Sequence, residues 1–137
     1  MSQFGFAISG IATTADANVA RTMVVKTANN TDATNADGSP VTIDLLGLDS
    51  DAYKKAKREN QRARLARRNP GKITPEELEE EGMALMIAVT AAWTFKDAAG
   101  NPIPCTAQAV KELYQNYPDI MEQADAFVSD RGNVLKK

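Results

Sequence analysis

The sequence predicts a mostly α-helical α+β domain: about four helices forming a compact helical part, with a small N-terminal β-hairpin. Three observations carry this prediction. Thr74-Pro75-Glu76-Glu77 is a strong helix start, with Thr74 as cap, Pro75 at the first helical position and Glu77 closing a capping box. Behind it, Leu78, Leu85, Met86, Val89 and Trp93 recur at helical spacing and mark a buried face. The first third is instead rich in Ala, Thr, Asn and Asp, with two short β-prone runs around a polar loop. With 137 residues, one domain over 1–137 is expected, strand and loop over 1–48 and helical over 49–137.

The first strand is expected over Arg21 to Thr27, where Met23, Val24 and Val25 sit together, and the second over Val41 to Leu46. Thr27 to Pro40, dense in Asn, Asp and Ala and containing Asp37-Gly38, reads as a mobile loop between them. Ser50 caps a helix with an acidic first turn, expected from about Asp51 to Arg68 and stopping before Pro70-Gly71. The second helix runs from Pro75 to Trp93, and Trp93 is read as a core anchor or an interface anchor. Asp97 to Pro102 is a turn. Thr106 caps a third helix with Val110, Leu113 and Tyr114 on one side. Pro118 opens the last helix, with Ile120, Met121, Ala124, Phe127 and Val128 on one face. Gly132 ends it, and the residues beyond read as a tail without an apolar anchor.

Hydrophobic residues are 43% and charged residues 25% of the chain, the balance of an ordinary globular protein. The longest strongly apolar uncharged run, Gly82 to Phe95, is shorter than the roughly 20 residues a membrane-spanning helix needs, so no membrane partner is expected. The first residues, without a basic side chain before Arg21, do not read as a secretory signal. One cysteine, Cys105, allows no internal disulfide and fits a reducing compartment.

Histidine is absent, which removes the commonest general base and metal ligand. Ser50 and Lys54 stand four apart as a Ser-Lys nucleophile pair would, but Ser50 is better explained as a cap. Cys105, between Pro104 and Thr106, has no histidine to activate it. Asn35, Asp37, Gly38 and Asp44 fall at calcium-loop positions, yet the first position is Ala33 and the flanks read as strands. Asn29-Asn30-Thr31 matches a glycosylation sequon without any sign of secretion. No catalytic residue, cofactor or metal is expected, and the chain reads as a protein-binding module.

The most unusual local feature is the basic segment from Lys54 to Lys72. It carries nine Lys or Arg and one acid, Glu59, a local net of +8, followed directly by five glutamates between Glu76 and Glu81. Lys54, Arg58, Arg62, Arg64, Arg67 and Arg68, with Trp93, are the expected partner-binding residues. An acidic protein surface suits this helix. A nucleic acid is disfavoured, because only Tyr53 supplies an aromatic nearby and the whole chain carries −2.

Two blocks resemble the tail assembly chaperones of long-tailed bacteriophages. The first is Ala36-Asp37-Gly38-Ser39-Pro40-Val41-Thr42-Ile43 with Gly47 through Lys54. The second runs from Ala92-Trp93 through Asp97-Ala98-Ala99-Gly100-Asn101-Pro102-Ile103-Pro104, Leu113-Tyr114 and Tyr117-Pro118-Asp119-Ile120 to Asp130-Arg131-Gly132-Asn133. The resemblance covers residues 37 to 137 and leaves the first third unexplained. It implies that Trp93, Asp97, Gly100, Pro102 and Pro104 shape a turn. It also implies a protein that binds the tape-measure protein and helps tail tube protein assemble around it. Such a protein works in the cytoplasm of the infected bacterial host and is absent from the mature virion. Such proteins are often made in a second, frameshifted longer form. The competing expectations are a structural minor tail or connector subunit, and a nucleic-acid-binding protein using residues 54–72. Self-association into a homo-oligomer is compatible with all three.

Overall fold

The helices begin where a side-chain oxygen satisfies the amides of a first turn. In a computed structural model that describes residues 4–67 and 72–135, Thr13, Ser50, Thr74 and Thr106 each accept from the backbone N–H three residues on. They open α1 (Thr14–Ala17), α2 (Asp51–Leu65), α3 (Pro75–Val89) and α4 (Ala107–Asn116). α5 (Pro118–Ser129) starts without a side-chain cap, on Pro118. A 3-10 turn (Arg131–Leu135) follows. Glu77 closes the expected capping box only in part: its carboxylate accepts from the Thr74 hydroxyl at 3.2 Å, not from the Thr74 backbone N–H, and also pairs with Arg67.

Three strands, β1 (Arg21–Val24), β2 (Thr42–Leu45) and β3 (Thr90–Trp93), form an antiparallel sheet in the order β1-β2-β3. This corrects the expected fold class. The described residues hold five α-helices and a three-stranded sheet, so the chain is a small α+β fold and not a helical domain carrying a separate N-terminal hairpin. β1 and β2 do pair, Met23 opposite Ile43, but β2 is the central strand and its second edge is taken by β3 from the other half of the chain.

β3 lies where the helix was expected to continue to Trp93. The helix stops at Val89 because its end finds other partners. Leu46 N–H donates to the Val89 carbonyl, and the Thr90 hydroxyl donates to the Met86 carbonyl at 2.7 Å. Thr90 itself is extended, with φ −84° and ψ 103°. From there Thr90-Ala91-Ala92-Trp93 pairs with β2, with an irregularity between Asp44 and Leu45. Trp93 is therefore a strand residue, and Leu78, expected in the buried face, is exposed.

The core forms between the sheet and α3, α4 and α5. Met23, Val25, Val41, Ile43 and Leu45 from the sheet side meet Met86, Val89, Val110, Tyr114, Ala124 and Val128. β2 alternates half-buried and buried residues, so Ile43 and Leu45 face the helices while Thr42 and Asp44 face the more open side.

Two further expectations change. Residues 27–40 are tied down, not a mobile loop: Val25, Ala33 and Val41 exchange backbone hydrogen bonds, and Gln123 of α5 pairs with both backbone groups of Lys26. The C-terminal residues are docked as far as Leu135. Val134 is buried, its carbonyl accepts two bonds from Arg21, and Arg131 holds Asp49 through two nitrogens. α2 ends at Leu65, short of the expected Arg68, with Ala66 N–H donating to the Arg62 carbonyl; Pro70-Gly71 and the lysines 136 and 137 lie outside the described residues.

Candidate functional site: an apolar groove and a charged helix pair

Three tight turns share one geometry. Thr27-Ala28-Asn29-Asn30-Thr31, Asn35-Ala36-Asp37-Gly38-Ser39 and Asp97-Ala98-Ala99-Gly100-Asn101 each close with a bond from the fourth N–H to the first carbonyl and from the first N–H to the fifth carbonyl. Their fourth residues have positive φ: Asn30 62°, Gly38 86°, Gly100 86°. Asn or Gly is needed there because other side chains clash in that conformation. Asp97 steadies the third turn by accepting from the amides of Ala99 and Asn101. Pro102 lies opposite Lys96 in a short bridge, and the Pro104 carbonyl accepts from Thr106, leading into α4.

Asn35 binds the second and third turns together. It is buried, its amide donates to the Thr94 carbonyl at 2.9 Å, and its oxygen accepts from Lys96 N–H at 2.9 Å. Asp37 adds an ion pair with Lys96 at 3.0 Å. Hydrogen bonds from Ser39 and the Lys96 ammonium hold the Asp37 carboxyl well below the usual carboxylate range. The calcium-loop residues are thus occupied within the protein: Asn35 and Asp37 as turn clamps, Asp44 accepting from Thr22 on the sheet, with Ala33 in the backbone crossing. Among the described residues no group of three His, Cys, Asp or Glu side chains is placed to hold a metal.

Between the second and third of these turns and the α4–α5 corner lies a groove of about 520 Å³. Trp93, Phe95, Ile103, Leu113, Tyr117 and Ile120 supply its larger walls. Trp93 and Phe95 meet edge to face at 5.2 Å and 89°, and the Trp93 indole N–H donates to the Ile103 carbonyl at 2.7 Å. That bond fixes the indole without using its face. Tyr117 and Ile103 remain exposed on the rim. Of the residues named from sequence, Trp93 lines this groove, while Asp97, Gly100, Pro102 and Pro104 shape the turn beside it. Phe95, Ile103, Tyr117 and Asn35 were missed as site residues. The legible signal was Trp93-Thr94-Phe95, where alternate aromatics before a tight turn signal a strand with both rings on one face.

The basic residues sit elsewhere, on α2, which packs against α3. Arg64 makes a two-pronged pair with Glu81 at 2.8 and 2.6 Å, and Arg67 pairs with Glu77. The Arg64 guanidinium pulls the Glu81 carboxyl below its ordinary value, and Glu81 raises Arg64 in turn. These two arginines therefore join two helices of one chain. Lys54, Arg58 and Arg62 are exposed, as are Lys55 and Lys57. Glu76, Glu79 and Glu80 are exposed on α3, so the helix pair presents a positive and a negative strip. Arg68 lies outside the described residues.

Ser50 is fully buried and its hydroxyl accepts from Tyr53 N–H, the geometry of a cap. Cys105 is half-buried, and burial pushes its thiol upward, away from the reactive thiolate. No helix among the described residues is long and apolar enough to cross a membrane.

No family model, curated protein or solved structure matches this chain.

Proposed function

We propose that this chain is a tail assembly chaperone of a long-tailed bacteriophage, a non-enzymatic protein that covers part of the tape-measure protein while tail tube subunits assemble around it. The observation that supports this reading best is the Trp93 groove. Its walls are apolar and aromatic, its shape is held by the Asn35 clamp and the 97–101 turn, and its rim presents Tyr117 and Ile103 to solvent. A long helix with an apolar stripe aggregates unless that stripe is covered, and a groove of this kind receives such a stripe. The exposed Lys54, Lys55, Lys57, Arg58 and Arg62 would steer an acidic segment of the same partner. The work would take place in the host cytoplasm, before the particle is complete.

The test is co-expression with the tape-measure protein encoded by the same phage. Soluble tape-measure protein is expected with the parent chain and is expected to be lost with Ile103→Asp/Tyr117→Asp, two exposed positions whose change leaves the core intact. Tape-measure solubility indifferent to the chain, or to the groove variant, overturns the reading. Stoichiometric copies of the chain in peptide mass spectra of purified particles would instead establish a permanent tail or connector subunit.

A further inference from the structure

The residues ahead of α1 include four large apolar side chains that are largely exposed. Phe4, Phe6, Ile8 and Ile11 are 75%, 75%, 68% and 62% exposed. Phe4, Phe6 and Ile8 are spaced by two, the spacing that brings side chains to one side when a backbone is extended; in the free chain Gly5 and Gly10 bend the segment with φ of 71° and 77°, and the Phe4 and Phe6 rings lie 6.3 Å apart. No charged residue falls between Phe4 and Ala15. An uncharged segment exposing four large apolar side chains gains by docking into an apolar groove, and its two glycines let it straighten to do so. The Trp93 groove has matching chemistry. Its charged lining residues are Lys96, already ion-paired with Asp37, and Glu112.

We propose that residues 4–12 of one copy seat in the Trp93 groove of a second copy, so that the protein associates with itself by exchanging arms. The inference rests on the groove of the proposed function but not on its client: the arm covers the groove until a client displaces it.

The fold favours a second copy over the chain's own groove. α1 is held at one end of the sheet, where Gly47 N–H donates to the Ala17 carbonyl and α1 packs on the 131–135 turn. The groove opens at the other end, beside Val41 and Val25. Residues 41 to 47 alone separate the two ends by roughly 20 Å, against roughly 30 Å for nine extended residues. A chain folding back on itself would spend two-thirds of the arm on the crossing, leaving Ile8 and Ile11 in water. In a partner's groove all four side chains can be covered. The area also fits. With roughly 150–250 Å² for a large apolar side chain, two-thirds exposure of four such residues gives roughly 500 Å² per arm. Two arms and two grooves then total roughly 2,000 Å², the size of a stable interface.

Trp93, the only tryptophan, lines the groove and reports its occupancy. The experiment compares the full chain, Phe6→Ser/Ile8→Ser and Ile103→Asp/Tyr117→Asp by sedimentation equilibrium and tryptophan emission. The parent is expected to dimerise, with blue-shifted emission that reddens on dilution. Both variants are expected to be folded monomers by circular dichroism. Self-association should weaken at least about 100-fold, since each covered Phe or Ile is worth about tenfold or more. A peptide of residues 4–13 should restore the blue shift to Phe6→Ser/Ile8→Ser but not to the groove variant. Mixing the two variants should give a heterodimer, because one keeps its groove and the other its arm. A parent that is monomeric at all concentrations overturns the proposal, whether its emission is red or blue; the latter means the arm lies in its own groove. A dimer that survives both variants also overturns it. A tape-measure segment that fails to displace the arm counts against the client alone and leaves arm exchange standing.

Discussion

The turn from α3 into β3 depends on one buried pair of hydroxyls, and removing them singly and together tests why the helix stops at Val89. The Thr90 hydroxyl lies 2.7 Å from the Met86 carbonyl and 2.7 Å from the Tyr114 hydroxyl. Its proton goes to the carbonyl, so the Tyr114 hydroxyl donates to Thr90 Oγ1. Tyr114 is 1% exposed, which leaves its hydroxyl no access to solvent. Thr90→Val keeps the branched shape but strands that hydroxyl, a loss of about 1–3 kcal/mol for an unsatisfied buried donor, with about 1 kcal/mol more for the Met86 bond. Tyr114→Phe leaves Thr90 bonded to Met86 and should cost only about 1 kcal/mol. In the double variant no donor is stranded, so its cost should fall below the sum by about 1–2 kcal/mol. Urea unfolding with unchanged slopes measures the cycle. Hydrogen exchange at Leu46, whose N–H is bonded to the Val89 carbonyl, should quicken in Thr90→Val. Costs that add within about 0.5 kcal/mol would refute the coupling and with it this account of the helix end.

Two other outcomes follow from the same packing. A Cβ on Gly47 would sit 2.9 Å from Val134 Cγ1, 3.0 Å from Ala17 Cβ and 3.3 Å from the Ala17 backbone. Gly47→Ala should therefore cost about 1–3 kcal/mol in urea unfolding, with part of the loss recovered in Gly47→Ala/Val134→Ala; unchanged stability of the single variant would contradict the contact. Stability should also fall in acid. Glu81 and Asp49 are held by Arg64 and Arg131 below their ordinary values of 4.5 and 3.8, so the folded state binds their protons less readily than the unfolded chain. The stabilisation they give is complete above those ordinary values and is lost as pH falls through the lowered ones. Glu81→Gln/Asp49→Asn should flatten that acid limb in a pH series of melting temperatures, and a limb of unchanged steepness would show that other carboxylates set it.

Much of the local structure was legible in the sequence because its signals act over a few residues. Ser50, Thr74 and Thr106 each cap the next helix by bonding an amide three residues on, and Pro118 begins a helix where its missing N–H costs nothing. The apolar positions 120, 121, 124, 127 and 128 are buried or half-buried along one face of α5, as their spacing requires. The turn over 97–102 was legible because Asp-x-x-Gly followed by proline constrains a backbone on its own, while a turn-shaping role for Trp93 and Pro104 was implied only by the resemblance. What only the tertiary structure decided is where a continuous apolar run changes from helix to strand. Residues 83–93 contain no Gly or Pro after Met83, and their spacing suits a helix throughout. The change at Thr90 comes from Leu46, Tyr114 and the open edge of β2, all distant in sequence. That change carries Trp93 out of a helix face and sets it beside Phe95 in the groove. The same holds for charge. A run of arginines reads as one surface in sequence, but Glu81 and Glu77 take Arg64 and Arg67 for the helix pair, because only folding brings residues 17 and 10 positions apart within reach.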